Sequence, residues 1–308
     1  MEKLKGIACC IVAAITFGII SSVAPLTYGQ GGCNPVTLAL LRCALVLPVL
    51  ALLLPLLHIP FTLTKKQLGW VLVIGLVGSA LPVLLLNIAL SMIDVGVATT
   101  IHFCYPIFVM LGSAFLFHDK ITLPQVAALA LATGGIVAFI AGGTGESENF
   151  LLGAVIALVS GVAYALYILL LDKSGLAQEN PLKINFYTSC ITVVFMLVYG
   201  AFTKQLVFAA ITPKSWFILL ACGLGGMILG MSLLQIGIRS TGATTSAILS
   251  TFEPLTGVVA GHFLLGEEIT AVKVAACALI FAGVSVVAIF DSKKQAAPEK
   301  EKVVAAGR

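Results

Sequence analysis

The chain is poor in charge. Its 308 residues hold 13 acidic and 17 basic side chains, so charged residues make up 10% of the sequence against 60% hydrophobic. A soluble domain carries roughly 25% charged residues, and a compact body in water must cover itself with polar groups. With a mean hydropathy of +1.13, the solvent of this chain is lipid. Other absences exclude particular chemistries. There is no Gly-rich loop ending in Gly-Lys-Ser/Thr, so no P-loop draws on ATP. No spacing of His, Asp and Glu suits a metal, and no Ser-His-Asp arrangement supplies a nucleophile, so neither an enzyme nor a cofactor is expected. The eight cysteines contain no C-x-x-C. Most sit in apolar stretches as small hydrophobes, and only Cys33 is expected to be exposed, which argues against a disulfide framework. The apolar stretches do not alternate with polar residues. Because backbone groups in lipid must be satisfied within closed structures, they are helices rather than barrel strands.

What is present is a series of ten apolar segments, approximately 5–27, 35–57, 67–90, 96–117, 124–141, 151–171, 182–201, 214–236, 243–264 and 271–290. Each is about long enough to cross a core of ~30 Å. Turn-rich breaks such as YGQGGCNP, GGTGESEN and DKSGLAQENP separate them. The first segment follows Lys3 and Lys5 as a signal peptide would, but it is longer than a signal's apolar core and is followed by more membrane helix, so retention is expected. The tail after Asp291 is charged and reads as disordered.

Positive charge orients the chain. With both termini cytoplasmic, that side holds Lys3, Lys5, Lys65, Lys66, Lys120, Lys173, Lys183, Arg239 and five tail charges, and the other side only Lys204, Lys214 and Lys273. The net charge of +4 therefore speaks of membrane orientation, not of nucleic acid. The expected location is a plasma membrane of the bacterial inner-membrane type.

The chain repeats itself. FLFHDKITLPQVAALALATGG (115–135) over FLLGEEITAVKVAACALIFAG (263–283) gives ten identities in 21 positions. The same offset aligns Pro106 with Pro254, Asn87 with Gln235, Gly75 with Gly223 and Gly78 with Gly226. Near it, Asn34-Pro35 matches Asn180-Pro181. The reading is a duplicated five-helix unit: 1–145, then 146–291, then the tail 292–308. Because five is odd, the second unit is expected upside down. Inverted repeats of this kind characterise secondary transporters, with the solute site near the midplane.

The residues PIFVMLGSAFLFHDKITLPQVAALALATGGIVAFI and EPLTGVVAGHFLLGEEITAVKVAACALIFAGVSVVAIF resemble the EamA-type branch of the drug/metabolite transporter superfamily. The first helix and Arg42 in LALLRCALVL fit the same pattern. The resemblance implies an all-α integral membrane fold of ten helices, a central cavity, and export or exchange of small metabolites. One departure is His118-Asp119 where the family has Gly-Glu; the second unit keeps Gly266-Glu267. His118 reads either as a solvated loop residue or as a pH-sensitive group.

The candidate site gathers the polar groups at mid-depth. At 1.5 Å per residue Glu253 lies about 15 Å from the cytoplasmic start of its helix. A carboxylate there costs a few kcal/mol on insertion scales and marks a functional position. Its repeat counterpart is Tyr105. Each precedes a proline, Pro254 or Pro106, that removes a backbone donor and frees a carbonyl. Arg42 lies at similar depth. Either it pairs with Glu253, or it snorkels outward and leaves Glu253 free for solute or proton. His102 shares a helix face with Tyr105. Asn87 and Gln235 either contact solute or cap the next helix. Tyr164, Tyr167 and Phe17 either line the cavity or pack. The glycine pairs Gly226/Gly230 and Gly257/Gly261 read as close-packing faces. The expected partners are a small solute, protons and lipid, in a monomer or weak homodimer. The solute is expected to be exported, and to be neutral or zwitterionic, amino-acid-like, aromatic or drug-like, since phosphates would want several internal cations. A membrane enzyme and a non-transporting receptor are the alternatives.

Overall fold

The computed structural model describes residues 2–28, 33–90, 92–93, 95–140, 150–208, 211–266 and 269–306. They are helical, with no strand among them beyond an isolated bridge between Tyr28 and Cys33. The helices are α1 (Glu2–Val23), α2 (Pro35–Ala44), α3 (Val46–Leu56), α4 (Lys65–Val73), α5 (Leu81–Leu90), α6 (Val95–His102), α7 (Tyr105–Phe117), α8 (Leu123–Ile140), α9 (Phe150–Lys173), α10 (Pro181–Thr203), α11 (Pro213–Gly223), α12 (Met231–Thr241), α13 (Ala243–Ser250), α14 (Phe252–Leu265) and α15 (Ala271–Ala306). Several run on from one another. Among the described residues, eight helical stretches are long and apolar enough to cross a membrane, and two shorter apolar helices are Tyr105–Phe117 and Leu123–Gly135. The two shorter ones fall on the expected segments 96–117 and 124–141: the first is interrupted before Tyr105, and the second is the larger part of α8, which runs on to Ile140. The expected loop GGTGESEN and the boundary at 145/146 lie outside the described residues.

Sequence punctuation sets the helix starts. Asn34 and Asn180 are N-caps whose side chains accept from Thr37 N and Leu182 N, each followed by a proline at the first helical position, where a missing amide costs nothing. Thr64 and Thr212 cap α4 and α11 in the same way. Between α4 and α5, and again between α11 and α12, the backbone widens into a π-helical stretch, Ile74–Ala80 and Leu224–Gly230. Each stretch adjoins glycines over which another helix passes. A Cβ on Gly78 would lie 2.7 Å from Tyr167 Cβ, and one on Gly230 would lie 2.6 Å from Phe17. Equivalent helix ends also match. His118 and Gly266 are both left-handed C-caps, φ 55° and 72°. Histidine thus holds a conformation that glycine adopts without penalty.

Packing runs between the two duplicated stretches. α1 lies on α12 and α14, while α9 lies on α5, α6 and α7; α10 packs on α2 and α3, and α15 on α8. Polar ties join the same partners at both ends. Thr37 Oγ1, near the start of α2, donates to Gln205 O and accepts from Val207 N in the loop after α10. Lys183 Nζ, near the start of α10, donates to Thr62 O in the loop after α3 and pairs with Glu179 at 2.7 Å. Lys183 therefore belongs to the packed interior at 5% exposure, not to a free loop. The Asp119 carboxylate pairs with Lys173 at 2.6 Å, while its backbone N–H donates to Ser113 O at 2.9 Å and closes the C-terminal cap of α7; its counterpart Glu267 lies outside the described residues.

Two further expectations change. Cys33 is buried at 4% exposure, because its thiol packs against Thr27 Oγ1 under the start of α2. All eight cysteines are free. The helix α15 runs past Asp291 to Ala306; the segment is rich in Ala, Glu and Lys, which favour helix despite their charge. Outward, Phe202, Leu123, Phe263 and Leu151 are among many large apolar side chains left exposed, as a lipid-facing surface requires.

Candidate functional site

Both proline-bearing helices are broken, and at equivalent points. α6 ends at His102 and α7 begins at Tyr105, while α13 ends at Ser250 and α14 begins at Phe252. The prolines sit in the first turn of the new helix, where backbone amides have no helical partner in any case. The first helix of the opposite half lies against each break through a glycine. A Cβ on Gly161 of α9 would come 2.8 Å from His102 O, and one on Gly18 of α1 would come 2.6 Å from Glu253 O and collide with Thr256. Thr256 Oγ1 in turn donates to Glu253 O at 2.8 Å. α13 packs on α7, so the breaks meet near the centre of the bundle.

Glu253 is half-buried there. Its Oε1 lies 3.2 Å from Ser21 Oγ on α1, and the same hydroxyl lies 2.8 Å from Phe17 O. No ion pair joins Glu253 to Arg42, whose Nε is buried without a hydrogen-bond partner. The two charges share an electrostatic neighbourhood without touching.

On the other side of the breaks lies a cluster of rings. Tyr105, 1% exposed, meets Tyr164 edge-on at 4.8 Å, and Tyr164 stacks with Tyr167 at 5.9 Å. His102 stands 6.0 Å from Tyr105 and 5.7 Å from Tyr164. The Tyr105 hydroxyl lies close to Ser250 and within electrostatic range of Glu253, and Tyr164 lies within electrostatic range of both Glu253 and Arg42. Thus His102, Tyr105, Tyr164, Glu253 and Arg42 converge on one region of the bundle. Its wall offers one carboxyl, one guanidinium and flat aromatic surface. Among the described residues no group of three His, Cys, Asp or Glu could hold a metal.

The sequence profile of the EamA-like transporter family matches twice, over residues 4–141 and 151–289. The chain belongs to the EamA-like transporter family. It is 24% identical over 297 residues to an uncharacterised transporter of Archaeoglobus fulgidus, covering 90% of this chain and 96% of that one. It is 28% identical over 203 residues to an uncharacterised transporter of Synechocystis sp., covering 64% of this chain and 59% of the relative. It is also 28% identical over 202 residues to the threonine/homoserine exporter RhtA of Salmonella typhimurium, covering 64% of each. The match thus spans about three fifths of the Synechocystis protein's length. A solved crystal structure shares the fold with a TM-score of 0.80 at 18% identity, over 94% of this chain and 98% of the other. The family and these relatives are transporters, not enzymes. With its apolar helices, the chain is a multi-pass membrane transporter.

Within this EamA-like fold, Asn87 and Gln235 stand apart from the rings. Asn87 Nδ2 donates to Pro35 O at 3.3 Å. Gln235 Nε2 donates to Leu176 O and Glu179 O at 3.1 and 2.9 Å. Each amide ties the end of the third helix of its half to the chain entering the second. The helix after Gln235, α13, has no side-chain cap. Gln235→Ala is expected to lower stability by about 1–2 kcal/mol through the loss of these bonds, and Asn87→Ala by less. Solute affinity should stay unchanged in both. Thermal unfolding beside solute counterflow checks this.

Sequence reasoning missed Ser21, Ser160, Gly18 and Gly161, which hold the site together. Of the expected glycine faces, Gly226 and Gly230 pack on α1, whereas a Cβ at Gly257 would meet open space. The Gly257 carbonyl nevertheless accepts from Ser22 at 3.2 Å.

Proposed function

We propose that the chain is a ten-helix secondary transporter built as two inverted five-helix repeats, 1–145 and 146–291, with both termini cytoplasmic. It exports a small amino-acid-like solute across the plasma membrane by alternating access. Support for the repeat comes from the two family matches, the paired π-helical stretches, the paired helix breaks and the reciprocal Thr37 and Lys183 ties. An odd number of helices per repeat inverts the second copy, so pseudo-symmetry relates an inward-open to an outward-open arrangement.

One observation carries the solute reading: Glu253 and Arg42 lie within electrostatic range of each other with no ion pair between them, and Arg42 Nε has no hydrogen-bond partner, while Tyr164 lies within range of both. A zwitterion meets both, its ammonium at Glu253 and its carboxylate at Arg42. Its side chain then faces the rings. The relation to a threonine/homoserine exporter favours a four-carbon hydroxylated amino acid. Protons are the coupling ion in this reading. Ser21 has a single proton, shared between Phe17 O and Glu253 Oε1. A protonated Glu253 donates to Ser21 and leaves that proton to Phe17 O, whereas an ionised Glu253 competes for it. The carboxyl thus has a partner in either state. Threonine or homoserine counterflow in proteoliposomes is expected to be saturable. Its absence for both amino acids would overturn the solute assignment.

A further inference from the structure

The imidazole of His102 is held by a relay that fixes its proton. His102 Nδ1 lies 2.9 Å from Ser160 Oγ on α9, and Ser160 Oγ lies 2.8 Å from Pro82 O on α5. Pro82 O is a carbonyl and only accepts. Ser160 carries one hydroxyl proton. Were that proton turned to His102, two oxygens would face each other at 2.8 Å with nothing between them. Ser160 therefore donates to Pro82 O and accepts from His102, which places the ring proton on Nδ1 and a lone pair on Nε2. Ser160 is fully buried, so no water competes for the relay. The ring is half-buried and stands within 6.0 Å of both Tyr105 and Tyr164. Around a flat, largely apolar wall, Nε2 is an oriented acceptor.

We propose that His102 Nε2 accepts a hydrogen bond from the solute's side-chain hydroxyl, and is thereby a specificity-determining residue, and that Ser160 is the positioning residue that keeps Nε2 an acceptor. The hydroxyl assignment rests on the amino-acid reading above; the relay does not. A neutral hydrogen bond supports about tenfold discrimination against an isostere that lacks the donor. Threonine and 2-aminobutyrate form such a pair, since a hydrogen replaces the hydroxyl.

Two measurements test the proposal. The chain has four histidines, so 15N-histidine labelling of the detergent-solubilised protein gives few signals, and the one lost in His102→Phe belongs to His102. The wild-type signal is expected to be the Nδ1–H tautomer, and Ser160→Ala is expected to move it to a mixture of tautomers. An Nε2–H tautomer or an imidazolium in the wild type, or no response to Ser160→Ala, overturns the relay. In counterflow, the wild type is expected to prefer threonine over 2-aminobutyrate about tenfold. His102→Phe should bring the ratio of threonine to 2-aminobutyrate counterflow to about one at whatever rate it retains, and Ser160→Ala should reduce the ratio. A preference that survives His102→Phe overturns the acceptor role. Where His102→Phe unfolds, His102→Gln is read instead, because its amide occupies similar space without a fixed acceptor. A wild type that carries neither amino acid removes the hydroxyl assignment and the amino-acid reading together, and the spectrum still decides the relay.

Discussion

Glu253→Gln abolishes accumulation driven by a proton gradient, bringing it to the level of protein-free liposomes, and leaves solute-for-solute exchange running. Glutamine keeps the shape of the side chain and its hydrogen bond to Ser21, but has no proton to release. Exchange needs only that the loaded carrier reorient, so it still runs, but at a raised KM, because the solute's ammonium then meets an amide oxygen in place of a carboxylate. Uphill transport needs the empty or protonated carrier to couple its return to a proton, so it fails. Proton-driven uptake at the wild-type rate would sink the coupling role. The same variant settles the alternative raised by Arg42. Breaking a buried ion pair by removing one partner strands the other charge and costs about 3–5 kcal/mol. Arg42 makes no contact pair with Glu253 here, and its Nε already lacks a partner. Glu253→Gln should therefore unfold at nearly the wild-type temperature, and a large fall would mean that Glu253 exists to neutralise Arg42.

The membrane class and the element order were legible because lipid imposes a simple code: helices must be apolar along their whole length. The duplication was legible from Pro106 and Pro254 and from the matched stretches around them. The site was legible in outline, since a carboxylate among Ile248, Leu249 and Val258 has no reason to be there without a role. What the sequence concealed is tertiary. A proline in an apolar run reads as a kink in one helix, whereas the chain stops at His102 and Ser250 and starts again at Tyr105 and Phe252, because tight packing against α9 and α1 holds the break open. Ser21 and Ser160 look like ordinary small residues of membrane helices; only the neighbour across the interface turns one into a partner of Glu253 and the other into the clamp of His102. Cys33 looked exposed because it follows a Gly-rich stretch of sequence, yet its thiol lies against Thr27 Oγ1. The charge of Lys183 gave no hint of its burial against Glu179 and Thr62.

Gly18→Val and Gly161→Val are expected to be the most damaging substitutions outside the polar site, and for the same reason. Each glycine is where the first helix of one half touches a backbone carbonyl at the helix break of the other, Glu253 O or His102 O, at 2.6 and 2.8 Å from the missing Cβ. A flexible side chain could swing aside, but a carbonyl at a break cannot move without moving the helix that carries Glu253 or Tyr105. Overpacking costs about 1–3 kcal/mol where side chains can adjust, and more is expected against backbone. That corresponds to a fall in melting temperature of roughly 5–10 °C. Gly69→Ala and Gly134→Ala are the controls, because nothing lies within 4 Å of either position; both should be close to neutral. The informative comparison is between stability and transport at low temperature, where the valine variants remain folded. If the glycines serve only packing, folded Gly18→Val should exchange solute normally. If the contact sets the geometry of the break, exchange is lost even in the folded protein, and Gly161→Val fails in the same way from the opposite half. Equal loss at both glycines would mean that the two breaks work as one paired element, each held by the first helix of the other repeat.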